Sequence, residues 1–137
     1  MSTAKSKALH VEEIMLRPGA FAVLSDKALL KEALEEMGNY RLGIACIVNA
    51  ESKLIGVLTD GDIRRKLLEI QKPFSAFFVD DALKHAFTTP TTIQPSATLL
   101  TGVELMGRKQ IWDLPVVDAS GRLLGLLHLH PAIRAVL

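Results

Sequence analysis

The sequence has few aromatic residues and no excess of charge of one sign. Aromatic residues make up 5% of the 137 positions, and 16 Lys and Arg face 15 Asp and Glu. A protein that binds a nucleic-acid backbone usually carries a clear basic excess, and one that stacks bases needs aromatic rings. We therefore expect no nucleic-acid partner.

Long apolar runs and cysteine pairs are also missing. No stretch approaches the roughly 20 residues that a membrane-spanning helix needs, so we expect no membrane association. The polar start MSTAKSKALH lacks the apolar segment of a signal peptide, and we interpret residues 1–10 as a linker or tag. The single Cys46 lies in an apolar run, which favours a buried thiol. Together these features predict a cytoplasmic protein.

What the sequence does contain is an internal repeat. Shifting the chain by 69 positions aligns its two halves without a gap from about Leu24 to Leu58. Both copies carry apolar residues at helical spacing, which predicts one buried helix face in each. These residues are Leu30, Ala33, Leu34 and Met37 in the first copy, and Leu99, Gly102, Val103 and Met106 in the second. Each stretch ends in Met-Gly, and we expect Gly38 and Gly107 to act as helix C-caps.

Two short apolar strands follow each helix, joined by four turn-forming residues, which indicates a β-hairpin in each half. A further helix closes each half, and a short extended segment precedes each main helix. The predicted strands are 45–48 with 53–58 and 114–117 with 122–127, the closing helices are 62–70 and 131–136, and the extended segments are 21–24 and 92–94.

Each half thus reads β-α-β-β-α, which predicts an α+β fold of two repeats related by a pseudo-two-fold axis. One unit of this size is marginal alone, so the halves should pack together and leave clefts between them. We place repeat 1 at residues 11–72 and repeat 2 at residues 73–137. Phe74, Phe77 and Phe78 follow Pro73; core packing between the units is favoured over an exposed docking patch.

The segment Gly-Val-Leu-Thr-Asp-Gly-Asp-Ile-Arg-Arg at 56–65 resembles the strand-to-helix signature of the cystathionine-β-synthase (CBS) domain. Two such domains in tandem form a Bateman module, and the resemblance covers about residues 11–137. Together with Leu-Leu-Gly-Leu-Leu-His-Leu-His at 123–130, the segment is similar to the C-terminal CBS pair of bacterial D-arabinose 5-phosphate isomerases. Those enzymes supply the precursor of Kdo for lipopolysaccharide biosynthesis.

That resemblance implies a regulatory module that senses a nucleotide or nucleotide-sugar in the cleft between the repeats. The catalytic sugar isomerase domain of that family would precede the pair and is missing here, so we expect no catalytic residue and no enzyme activity in this chain. No cofactor is expected beyond a possible regulatory nucleotide. CBS pairs commonly form discs, so a homodimer or higher homo-oligomer is also expected. The ligand and the sign of regulation stay open.

The candidate ligand-binding residues in repeat 1 are Thr59, Asp62, Arg64 and Arg65. Thr59 ends a strand, and Asp62 lies near the start of the next helix, where free backbone N–H groups favour an anion. In CBS domains the matching Asp accepts hydrogen bonds from ribose hydroxyls. The alternative is that Asp60 or Asp62 only caps the helix and that the arginines form a solvated face.

Repeat 2 departs from this pattern, because His128 stands in place of Thr59 and Pro131 in place of Asp62. The ribose-binding carboxylate is therefore absent there, and we expect the two clefts to be unequal. His128 and His130 should project to one side and line a ligand. Two histidines alone make a weak metal site, so no metal is expected.

Two other functions remain open. The module could be a structural dimerisation element without a ligand, which the altered second copy favours. It could also be an enzyme that uses His128, His130 or His85 with a carboxylate, although the spacing brings no nucleophile and base together. Trp112 could pack in the core or at an interface, and we assign it no role.

Overall fold

The computed structural model describes residues 9–137, so residues 1–8 of the predicted linker lie outside the described residues. The chain divides into two compact units. Unit A comprises residues 18–90, and unit B comprises residues 91–137 together with the described residues 9–17. The elements in chain order are α1 (Val11–Ile14), β1 (Ala22–Ser25), α2 (Leu30–Tyr40), β2 (Ile44–Val48), β3 (Leu54–Thr59), α3 (Asp60–Glu69), α4 (Phe74–Phe78), α5 (Ala82–His85), α6 (Leu99–Lys109), β4 (Asp113–Val117), β5 (Leu123–His128) and α7 (Leu129–Val136).

Unit A is built on a three-stranded sheet in the order β1-β2-β3. Strand β1 pairs with β2 in parallel and β2 pairs with β3 antiparallel. The buried face of α2, formed by Leu30, Ala33 and Met37, packs into the same core cluster as Ile47 and Leu58. The predicted apolar spacing therefore does mark the face that the helix buries. Cys46 is fully buried in β2, as expected.

Unit B repeats this plan with a smaller sheet. Strands β4 and β5 form the antiparallel hairpin, while the predicted extended segment at 92–94 contributes a single parallel bridge between Ile93 and Val116. Helix α6 buries Leu99, Gly102 and Met106. Gly102 occupies the position of Ala33 in the first copy, and a Cβ there would lie 2.7 Å from Cδ2 of Leu127.

The duplication extends to the irregularities of the hairpins. The strand register shifts after Ile47 in the first copy and after Val116 in the second. In the first turn the Asn49 side chain accepts two backbone N–H bonds, as the Asp118 side chain does in the second turn. Left-handed backbone closes both turns, at φ 64° and 90°. Such agreement in detail indicates that the two hairpins share one conformational plan.

The segments that lead into the two repeats are exchanged between the two halves of the sequence. Leu16 forms an antiparallel bridge to Leu126 in unit B, and Phe87 forms the corresponding bridge to Val57 in unit A. Val11 is fully buried in the core cluster of unit B. The predicted repeats 11–72 and 73–137 therefore do not coincide with the compact units, because each lead-in segment packs on the hairpin of the other sequence half.

Of two local expectations, the one on the helix ends is wrong, and the one on phenylalanine core packing holds only for Phe77. The main helices do not end at Gly38 and Gly107; they continue for two further residues and end at left-handed Arg41 and Gln110. Of the three phenylalanines, only Phe77 is fully buried, in the core of unit A, whereas Phe74 is exposed. Among residues 9–137, no helix has the length and apolar character needed to cross a membrane.

Candidate functional site

Thr59 and Asp62 form a capping box at the start of α3. Thr59 is the last residue of β3 and the N-cap of the helix. Its Oγ1 accepts a hydrogen bond from the Asp62 backbone N–H at 3.2 Å, and Asp62 Oδ2 accepts one from the Thr59 backbone N–H at 3.2 Å. A threonine followed three residues later by an acidic residue satisfies two helix-end donors in this way. The capping alternative therefore describes the observed geometry.

The second oxygen of Asp62 is bonded to an arginine. Arg65 Nη2 donates to Asp62 Oδ1 at 2.7 Å, and the Arg65 side chain is 59% exposed. Arg64 is exposed, and among residues 9–137 the structure gives it no ion-pair partner. The structure thus brings Thr59, Asp62 and Arg65 together and leaves Arg64 in solvent. Whether these residues bind a ligand stays a prediction.

Two further residues shape this corner of unit A: Asp60, which the sequence offered only as a helix cap, and Gly43, to which it gave no role. The Asp60 backbone N–H donates to the Gly43 carbonyl at 3.1 Å. A Cβ at Gly43 would lie 2.7 Å from Asp60 Oδ2, so glycine leaves room for this second carboxylate. The aligned repeats could have drawn attention to this position, because the first copy has Gly43 where the second has the much larger Trp112.

In unit B the corresponding strand end carries a histidine–aspartate pair. His128 and Asp113 are opposite each other in the β4–β5 register, and Nδ1 of His128 lies 2.7 Å from Oδ1 of Asp113. Burial raises the pKa of Asp113, while the His128 hydrogen bond acts in the opposite direction. Helix α7 starts here without a side-chain cap, with Pro131 in its first turn as expected. Asp113 was missed because only the strand register reveals its partner.

His128 and His130 line one pocket in unit B, although His130 lies at the start of α7 and not in a strand. Whether they contact a ligand stays a prediction. The pocket has a volume of ≈ 310 Å³. Its wall also includes Trp112, Ile133, Arg134 and Leu137. Within the described part of the chain, no group of three or more His, Cys, Asp or Glu side chains could hold a metal ion.

His85, the remaining histidine considered for catalysis, is buried in unit A. Its Nε2 lies 2.8 Å from Asp80 Oδ2, and Lys72 Nζ donates to the same oxygen at 2.7 Å. The hydrogen bond from Lys72 has the largest effect and the bond to His85 the next, and they lower the pKa of Asp80 from 3.8 to about 2. The His85 side chain is 2% exposed. Lys72, Asp80 and His85 thus link residues of the segment that follows α3, and the buried His85 ring is not accessible to a substrate.

The family model of the CBS domain matches residues 11–69 and again residues 80–135. The chain is a tandem pair of CBS domains. The prediction of an α+β fold of CBS repeats is confirmed. In this CBS pair, the Thr59–Asp62 box belongs to the first family match and the His128–Pro131 variant to the second.

Relatives of the CBS pair include longer proteins. A Helicobacter pylori (strain J99) protein described only as uncharacterized is 36% identical over 118 residues, which are 85% of this chain and 34% of that protein. Arabinose 5-phosphate isomerase GutQ of Shigella flexneri is 29% identical over 126 residues, which are 91% of this chain and 37% of that enzyme. The chain spans about a third of the length of these relatives.

Among solved structures, CBSX2 of Arabidopsis thaliana in complex with AMP superimposes with a TM-score of 0.80 at 24% identity. The match covers 93% of this chain and 95% of that chain. At this identity the likeness establishes the shared fold.

Proposed function

We propose that this CBS pair is a regulatory module that binds a nucleotide or nucleotide-sugar at the Thr59–Asp62 box. The observation that carries the proposal is the placement of a hydroxyl, a carboxylate and an arginine at the N-terminus of α3. A helix N-terminus favours phosphate, and a carboxylate accepts hydrogen bonds from ribose hydroxyls. CBSX2, which has the same fold, was crystallised with AMP.

The proposed binding step exchanges one partner of Asp62 for another. Ribose hydroxyls would donate to Oδ1 of Asp62, which Arg65 now occupies at 2.7 Å. Arg65 would then be released to contact the phosphate. Because Arg65 is largely exposed, its pair with Asp62 is worth only a fraction of a kcal/mol, on the order of 0.3–0.5 kcal/mol. Exchanging the Arg65–Asp62 ion pair for a contact between Asp62 and the ligand therefore costs little free energy.

We further propose that the module serves a sugar-phosphate isomerase. The support is the match to 37% of arabinose 5-phosphate isomerase GutQ, which leaves most of that enzyme outside the aligned region. A ligand would adjust the isomerase only through different affinities for two arrangements of the protein. The pathway to Kdo, a nucleotide-activated Kdo as ligand and self-association of the pair all belong to this proposal.

One observation favours a second candidate, a structural module without a ligand. Both oxygens of Asp62 already have protein partners, and Pro131 removes the equivalent carboxylate from the second copy. A purely structural box would explain Thr59 and Asp62 without any nucleotide. The two candidates predict different results for a substitution of Asp62: the binding module loses nucleotide affinity, and the structural module has none to lose.

Calorimetric titration with AMP, cytidine monophosphate and their nucleosides tests the proposal. Asp62→Asn keeps a capping oxygen but loses the charge, so we expect it to weaken nucleotide and nucleoside binding about tenfold or more. Arg65→Ala should weaken nucleotide binding and leave nucleoside binding unchanged or stronger. Arg108→Ala, which removes an exposed arginine of α6 in unit B, is the matched control. Absence of heat with all four compounds, or equal affinity in Asp62→Asn, would establish the ligand-free candidate.

The link to an isomerase is tested in the complete protein. Arabinose 5-phosphate isomerisation should change when the nucleotide found by calorimetry is added, and Asp62→Asn should remove that change while basal turnover is kept. A complete protein without isomerase activity, or a nucleotide response that persists in Asp62→Asn, would contradict the link.

A further inference from the structure

The lead-in segments of the two repeats contact the main helices in the same way. Leu30, the first residue of α2, donates its backbone N–H to the Asp80 carbonyl at 2.8 Å. Leu99, the first residue of α6, donates its backbone N–H to the Leu9 carbonyl, also at 2.8 Å. Asp80 therefore holds the same position in unit A that Leu9 holds in unit B, and their side chains can be compared.

The side chains at these matched positions differ in chemistry. Leu9 and Ile14, the last residue of α1, pack against the core cluster of unit B. In unit A their places are taken by Asp80 and His85, the last residue of α5, whose side chains are 15% and 2% exposed and lie 2.8 Å apart. Apolar residues thus suffice for this part of the fold. Because exchanging a buried ionic pair for apolar residues is often neutral or stabilising, the polar pair indicates a task other than stability.

A third member of this cluster comes from the segment that follows α3. Lys72 stands two residues after the C-cap of α3, and its Nζ donates to Oδ2 of Asp80 at 2.7 Å. The same Nζ lies 4.8 Å from the centre of the Phe77 ring. The family model matches residues 11–69 and 80–135, so Lys72 lies outside both matches. The Lys72–Asp80 pair is therefore an addition to the CBS domains and not a part of them.

Helix α3 connects this pair to the Thr59–Asp62 box. The box forms the first turn of α3, and Lys72 follows the last turn, about 15 Å away along the helix axis. No residue of α3 is fully buried, and Ile63 and Leu67 are only partly buried against the core of unit A. The helix is thus held by polar contacts at its two ends. A displacement at one end can therefore reach the other as a movement of the whole helix.

We propose that the Lys72–Asp80 pair couples the Thr59–Asp62 box to the lead-in segment of the second repeat, with α3 as the moving element. The inference rests on the proposed function of the box, in which a ligand takes the place of Arg65 on Asp62. That exchange changes the contacts of the first turn of α3, and the pair carries the displacement to Asp80. Because the Asp80 carbonyl also accepts the first N–H of α2, the change reaches the main helix of unit A.

Hydrogen exchange of the unliganded protein tests the coupling without a nucleotide. The Asp62 amide is protected by its bond to Thr59 Oγ1, which opens when α3 moves as one body. Lys72→Met keeps an unbranched chain beside Phe77 but loses a charge-assisted hydrogen bond, so it should speed exchange of the Asp62 amide about tenfold. Lys72→Arg keeps the charge and should restore the wild-type rate. Lys53→Met, which removes an exposed lysine next to β3, is the matched control.

Amide NMR with AMP tests whether the pair transmits the presence of a ligand. In the wild type, AMP should shift the Asp80 and His85 amide resonances together with those of the box, with one common midpoint. In Lys72→Met the resonances of the box should still shift. Those of Asp80 and His85 should then stay in place, because the contact that carries the displacement is missing.

Failure of the coupling and failure of the proposed function give different results. An Asp62 exchange rate that is unchanged in Lys72→Met would overturn the coupling, and so would an equal acceleration throughout β2, which would indicate a general loss of stability. Asp80 resonances that stay unmoved while AMP saturates the box would overturn the coupling and leave the proposed function standing. If AMP moved no resonance of the box, the proposed function would fail, and the exchange rates alone would decide the coupling.

Discussion

Replacing Asp62 with alanine should lower the free energy of unfolding by about 1.3–1.5 kcal/mol. Helix α3 has no fully buried residue, so its first turn relies on the box more than a core helix would. The variant loses the bond from the Thr59 backbone N–H and the exposed pair with Arg65. A lost cap costs about 1 kcal/mol, and an exposed ion pair about 0.3–0.5 kcal/mol. Their sum gives the expected loss.

Chemical denaturation followed by circular dichroism measures this loss. For a chain of this length it also corresponds to a fall in Tm of about 3–6 °C. Asp62→Asn is the matched variant, since its side-chain oxygen can still accept the Thr59 N–H, and it should lose less than about 0.5 kcal/mol. Thr59→Ser keeps the hydroxyl and should be close to neutral.

The reasoning would be refuted by a gain in stability in Asp62→Ala. Such a gain would mean that the Asp62 carboxylate destabilises the folded state at the start of α3. A loss of similar size in Asp62→Asn would also refute it, because the charge and not the cap would then be the source of the stability.

Further predictions concern backbone contacts and pH. Gly125→Ala should destabilise by about 1–3 kcal/mol, because its Cβ would lie 2.6 Å from the Leu16 carbonyl oxygen, whereas Gly107→Ala meets nothing within 4 Å and should gain up to about 1 kcal/mol in denaturant unfolding. Ser52→Gly should stabilise by about 0.5–1 kcal/mol, since φ is 64° there, and a melting temperature at or below wild type would contradict this. Because the pKa of Asp80 is lowered to about 2 in the folded state, stability should be retained above the ordinary carboxyl pKa of 3.8 and lost as pH falls towards 2. Between pH 3.8 and 2, the free energy of unfolding of Asp80→Asn should fall less steeply than that of the wild type. An unchanged profile would contradict the assignment of this stability loss to Asp80.

The sequence was sufficient for the repeat and for most of the elements. Apolar spacing located the buried faces of α2 and α6, and the paired hairpins followed from alternating apolar runs and turn residues. The exchange of lead-in segments was not predictable, because Leu16 and Phe87 contact hairpins far along the chain and local patterns carry no such information. Helix ends were misplaced since left-handed Arg41 and Gln110 replaced the expected glycines.

For the candidate site, the motif identified Thr59 and Asp62 but not how they bond. The reciprocal hydrogen bonds follow from a threonine–acid spacing that also suits a ligand, so the residues alone could not separate the two roles. The Asp113–His128 pair required the strand register, which the sequence pattern alone does not fix.

Backbone amide NMR during titration with AMP tests the central claim most directly, because each residue of the Thr59–Asp62 box reports separately. We predict saturable shifts of the Thr59, Gly61 and Asp62 amide resonances that become much weaker in Asp62→Asn. Resonances of the box that stay unmoved at saturating AMP, or that move equally in Asp62→Asn, would contradict the account.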